Sequence, residues 1–274
     1  ATRKERYALL RGTFWKKKQD SIYFDFRKYL SLAETDLAFF DPYINYLLNY
    51  LSKKALDSTE NYFINRQKTD FNIKRLRLIK SHIKGSVLIN NLSRALAFEE
   101  LMKTENQDYH EKFLQNFLLV NTSNSYLKEV FELHNDTEMM SAGKILPELK
   151  LQNHQLEIIS TNDIIEKPTV FYFWSQTQMS HYRNTVIKAK ALEELFPKYK
   201  FKGICIQPFN EIVFQVHRMM GIDPETQFAF TNFDKDSKKW VLSLLNRAIV
   251  VNADGRIKEG FGNFSAPDFA DLLR

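Results

Sequence analysis

Six consecutive residues, Thr169-Val170-Phe171-Tyr172-Phe173-Trp174, are all β-branched or aromatic, with Pro168 before them and Ser175 after. Such a run reads as a strand. A few residues later "HYRNTVIKAKALEELFPKY" reads as a helix that ends near Pro197, because a proline ring blocks helix continuation. The alternation then persists. "KFKGICIQ" is a short β-rich apolar run, and "FNEIVFQVHRMMG" is helical and stops at Gly221. "NRAIVVNADGRIKEGFG" holds two strands around Asp254-Gly255, a strong hairpin-turn pair. "APDFADLLR" reads as a final helix, and "HQLEIIS" as a strand ahead of the series. This order is that of a small α/β domain built on a mixed sheet.

The first half has a different grammar. "PYINYLLNYLSKKAL" predicts a helix with Asp41 as its N-cap and Pro42 at its first position. Ile44, Leu47, Leu48 and Leu51 fall on one face at helical spacing. After Asp70, "FNIKRLRLIKSHIKGSVLINNLSRALAFEELMK" predicts one long helix in which Gly85 marks a close crossing or a bend. "YHEKFLQNFLLV" and "SNSYLKEVFELH" are shorter amphipathic helices on either side of the turn-like Asn121-Thr122-Ser123-Asn124. Three glycines, Gly12, Gly85 and Gly143, suit a helical bundle better than a sheet. Gly143 and Pro147 punctuate the change, so the expected division is a helical domain over 1–142 and an α/β domain over 143–274.

Composition excludes several classes. Hydrophobic residues at 44% argue against general disorder. A net charge of +6 is mild, and the basic clusters Lys16-Lys17-Lys18 and Lys74-Arg75-Arg77 read as solvated helix faces. No nucleic-acid partner is expected. No apolar run reaches the roughly 20 residues that cross a bilayer. The opening "ATRKERYALL" lacks the apolar centre of a signal peptide, which leaves room for one removed upstream. Cys205 is the one cysteine, so neither an internal disulfide nor a two-thiol redox cycle is available.

Residues 143–274 resemble the thioredoxin-fold domain of TlpA-like thiol-disulfide oxidoreductases. Four motifs carry the resemblance in order. "GKILPELKL" is similar to the domain's Gly/Pro lead-in, and "KPTVFYFWS" to the strand that ends Phe-Trp-Ala. "FKGICIQ" is similar to the next strand, and "RAIVVNADGRI" to the late hairpin. The helical half resembles the N-terminal region of lipoprotein-type members. The resemblance implies a thioredoxin-like fold, a central mixed sheet flanked by helices, behind an all-helical N-terminal domain.

The departures fall at the site that the resemblance points to. The two positions of the family's Cys-x-x-Cys are Gln178 and His181, and the cis-proline position is Asn246. The family mechanism needs a thiolate at a helix N-terminus and a second thiol to resolve the mixed disulfide. Glutamine and histidine supply neither. A cis bond before asparagine costs about 3–4 kcal/mol, so the Leu245–Asn246 bond is expected to be trans.

What the resemblance leaves is a surface. Trp174, Gln178, Met179, His181, Leu245, Asn246 and Arg247 are expected to line a groove for a protein, peptide or small ligand. The alternative is unusual chemistry through Cys205 as a lone thiol or His181 as acid and base. Cys205 sits in an apolar strand, where cysteine behaves as a small hydrophobe. His82, His110, His134, His154 and His217 are scattered, and no metal-ligand spacing occurs. A triad assembled from Ser175 or Ser180 lacks the Gly-x-Ser-x-Gly elbow. No cofactor is implied. The family is mostly exported, which implies a periplasmic or cell-envelope location, with any membrane tether in a segment absent from this chain.

Overall fold

The computed structural model describes residues 31–56, 68–103 and 107–274. The Lys16-Lys17-Lys18 cluster and the opening segment lie outside these residues. The chain forms two compact units, Ala1–His134 and Asn135–Arg274.

In the first unit the described helices are α1 (Asp41–Ala55), α2 (Thr69–His82), α3 (Ser86–Leu101) and α4 (Gln107–Leu118). The next helix, α5 (Asn124–Met139), runs across the division. Leucines at helical spacing build the core: Leu47 and Leu51 of α1, Leu76 of α2, and Leu88, Leu92 and Leu96 of α3 are fully buried. Each such side chain contributes roughly 1.5–3 kcal/mol. Two expectations need correction. Asp41 is the first helical residue, and Phe40 is the N-cap without a side-chain bond. The long helix after Asp70 is broken, because Gly85 takes φ 89°, which a helix cannot contain. A Cβ there would also sit 2.8 Å from the Thr35 methyl.

Arg75 is a further correction. It is 2% exposed and not on a solvated face. Its guanidinium donates to Asn72 Oδ1 at 2.8 Å and to both oxygens of Glu99. Asn72 in turn donates to the buried Glu100 at 2.7 Å. A cluster of charges in sequence thus folds into a buried polar network.

The second unit is built on seven strands: β1 (Lys150–Gln152), β2 (Ile158–Ser160), β3 (Thr169–Trp174), β4 (Lys200–Cys205), β5 (Gln227–Phe230), β6 (Arg247–Val251) and β7 (Ile257–Asn263). Their order in the sheet is β2-β1-β5-β4-β3-β6-β7. The pairs β3–β4 and β4–β5 are parallel, and the flanking pairs are antiparallel. Three helices complete the unit: α6 (Met179–Leu195) joins β3 to β4, α7 (Glu211–Met220) joins β4 to β5, and α8 (Phe233–Lys239) follows β5.

Every residue of β3 is buried, and its alternation sorts the two faces. Val170, Tyr172 and Trp174 share a core with Tyr182 of α6 and Val213 of α7. Phe171 and Phe173 point the other way, with ring centroids 5.4 and 6.1 Å from Trp240 just past α8. Period-2 alternation therefore puts α6 and α7 on one face, side by side. The hairpin turn at Asp254-Gly255 forms, with Gly255 at φ 77°. β1, β5 and α8 are findings beyond the sequence expectations, and the final helix is a short 3-10 helix, Phe269–Leu273. No described helix is long and apolar enough to cross a membrane.

Candidate functional site

The end of β3 delivers the chain to a short turn and then to α6. Sewing this turn down are side-chain amides from the loop after β4. Ser175 is 1% exposed, and its hydroxyl accepts from Gln207 Nε2 at 2.9 Å and from the Thr177 amide at 3.2 Å. Gln207 Oε1 accepts from the Gln176 amide at 3.0 Å. The Gln176 side chain donates to the Pro208 carbonyl and accepts from Asn210 Nδ2, both at 2.6 Å. Asn210 also caps α7, accepting from the Val213 amide at 3.0 Å. Gln176, Gln207 and Asn210 are not among the site residues that the sequence points to. They stand 31–34 residues apart across the turn, and each resembles an ordinary polar loop residue.

Gln178 is the N-cap of α6, exposed, and its side chain makes no capping bond. The first turn of α6 also holds no acidic residue. The first amides of a helix lack internal partners and carry its positive end, so this start is electropositive and open. Met179 is 38% exposed. His181 is half-buried with no hydrogen-bond partner at Nδ1 among the described residues, and burial lowers its pKa.

Two residues expected in a surface groove are elsewhere. Trp174 is fully buried, stacked on Tyr182 with centroids 3.9 Å apart, so it supports α6 from beneath. Arg247 is 5% exposed. Its Nε donates to the Gly260 carbonyl at 2.8 Å, and Nη1 donates to the Val241 carbonyl. Its guanidinium lies 4.2 Å over the Phe261 ring. Burial pushes its pKa down to about 9. It ties the loop before β6 to β7 and offers no free charge. Leu245 and Asn246 are half-buried, and Asn246 Nδ2 donates to Asn263 Oδ1 at 3.1 Å. The antiparallel register pairs Tyr172 with Ala248, which brings Asn246 level with Trp174 at the end of the sheet that carries the α6 start. All described peptide bonds, that before Asn246 included, are trans.

Cys205 is fully buried at the end of β4, and burial pushes its thiol up to about 11. Burial thus disfavours the thiolate that a nucleophilic cysteine needs. His217 lies beneath α7, 1% exposed, walled by Trp174, Tyr182 and Phe209 at 5.7–5.9 Å between centroids. Both its ring nitrogens lack partners among the described residues, and burial pushes its pKa down to about 4. Among the described residues no three His, Cys, Asp or Glu side chains converge to hold a metal ion.

No family model matches the sequence, and no curated protein matches it. Solved structures do. A thioredoxin-like protein from Bacteroides caccae aligns over 75% of this chain and 76% of its own, with TM-score 0.50 and 10% identity. The thioredoxin domain of a thiol-disulfide oxidoreductase from Bacteroides vulgatus aligns over 43% of this chain and 85% of its own, with TM-score 0.37 and 17% identity. A thiol:disulfide interchange protein from a Bacteroides species aligns over 43% and 78%, with TM-score 0.37 and 16% identity. The α/β unit of this chain has a thioredoxin-like fold, a mixed sheet flanked by helices, with several helices in the N-terminal part of the chain.

Proposed function

We propose that this chain is a redox-inactive thioredoxin-like protein of the bacterial cell envelope. It binds a protein, peptide or small ligand at the surface around the start of α6. We further propose that residues 1–142 and 143–274 act as two modules. The observation that carries the binding reading is the α6 start itself. Its backbone amides are uncapped and its flanking turn is held rigid, while Gln178 and His181 stand where thiol chemistry would need sulfur. An open helix start receives an anion or a peptide carbonyl without any thiol. Cys205, buried and with its pKa raised, supports the absence of disulfide turnover. The cell-envelope location rests on the resemblance.

The test is insulin reduction in dithiothreitol, comparing the native chain with a Gln178→Cys/His181→Cys double variant. Native protein at background rate is the expected result. Native turnover above background overturns the redox-inactive reading and points to Cys205. Turnover gained by the double variant shows that the α6 start still has thiol-activating geometry.

A further inference from the structure

We propose that the groove between α6 and α7 receives an apolar peptide segment carrying an acidic side chain. This rests on the binding reading of the α6 start and names its ligand. Met179, Ser180 and Arg183 form one wall, from the first turns of α6, and Val216, Met219 and Met220 form the other, from the second half of α7. The groove encloses about 340 Å³. Met219 is 87% exposed and Met179 38%. Apolar side chains left in water as a contiguous patch mark an interaction surface. Three methionines make that surface adaptable, because an unbranched thioether side chain repacks around different partners.

Charge selects the partner. Arg183 is the one charged residue among the six that line the groove, and no carboxylate faces it there. The neighbouring Arg218 is already engaged by Glu211 at 3.4 Å. The uncapped α6 start adds its positive end, whereas the α7 end on the other wall has its late carbonyls taken up by Gly221 N, Ile222 N and Lys190 Nζ. A ligand that is apolar along its length and negative at one point complements both.

Shape separates the occupants. A fatty acid with the same chemistry needs a pocket that buries some 70–90% of its surface. A groove of about 340 Å³ that stays partly open between two helices leaves part of an acyl chain in water, whereas a peptide seats only some of its side chains and leaves the rest outside. A second copy docked about a two-fold axis would apply the same patch to itself and bring Arg183 toward the partner's equivalent positive charge.

The full chain, labelled with ¹³C at its methionine methyls, reads the groove directly. The probes are a peptide of about ten residues of leucine and phenylalanine with one central glutamate, its lysine counterpart, and decanoate. The expected result is movement of the Met179, Met219 and Met220 methyls with the glutamate peptide, and binding weaker by about tenfold for the lysine peptide. Arg183→Glu, on an exposed helix surface, is expected to reverse that preference. Equal binding of both peptides overturns the proposal, as does tighter binding of decanoate, or methyl shifts that follow protein concentration alone. If the amides of Gln178, His181 and Asn246 move while the three methyls stay still, the groove is wrong and the α6 start remains a binding surface. If neither set moves at millimolar peptide, both readings fail.

Discussion

Helices α6 and α7 leave the same end of two adjacent parallel strands and lie on the same face of the sheet, yet their first turns are built from opposite materials. The start of α7 is closed by its own chain: Asn210 caps it, Glu211 supplies an acid in the first turn, and Gly221 ends it in a left-handed conformation. That ending satisfies two late carbonyls, with Gly221 N bonded to Arg218 O and Ile222 N to His217 O. The start of α6 has neither cap nor acid. One bond joins the two starts, from Asn210 to Gln176. A helix start that its own sequence completes serves the fold. One that is held rigid and left incomplete is available to a ligand.

The largest test of this contrast is acid. His217 anchors α7 in its neutral form, with its pKa pushed down from 6.5 to about 4. Between these two values the unfolded chain binds the proton and the folded chain does not, so stability is full above pH 6.5 and falls as pH drops toward 4. The loss is of the order of 3 kcal/mol. Urea midpoints measured from pH 7 to pH 4 are expected to show it, and His217→Leu is expected to remove that part of the slope. An unchanged slope in the variant breaks the view of α7 as the self-completed helix.

A smaller effect is expected at the cap. Asn210→Ala removes the bond to Val213 and the bond to Gln176, and is expected to cost about 1–2 kcal/mol in chemical denaturation. Hydrogen exchange should rise in the first turn of α7 and also in the turn after β3. Exchange confined to α7 would show that the two starts are independent.

The smallest change acts with the opposite sign. Gln178→Asp gives α6 the acid and cap that it lacks, and is expected to stabilise the chain by about 0.5 kcal/mol. The same variant is expected to weaken an acidic ligand. Stability and binding moving apart, read by urea midpoint and peptide titration, would sharpen the distinction between the two starts.

How much of this was readable in the sequence follows from the range over which each feature is encoded. The strand at residues 169–174 and the turn at Asp254-Gly255 are local signals, and both stand where expected. β5 is only four residues, Gln227–Phe230, too short for a period to register, and its burial comes from neighbours far away in sequence. The break at Gly85 was marked by its glycine, but not the direction in which φ would turn. At the site, Gln178 and His181 were placed by alignment to the resembled family. The amides that hold the turn could not be found this way, because Gln176 meets Gln207 and Asn210 only once β3 and β4 are side by side. Trp174, expected in the groove, lies beneath the helix because strand alternation directs it into the core.

Cys205 carries one last consequence. With a single, fully buried cysteine, this chain has no internal disulfide to form, lose or shuffle. No thiol-disulfide exchange within these residues can therefore alter the fold, and the sulfur that an oxidant reaches first is the thioether of Met219, 87% exposed.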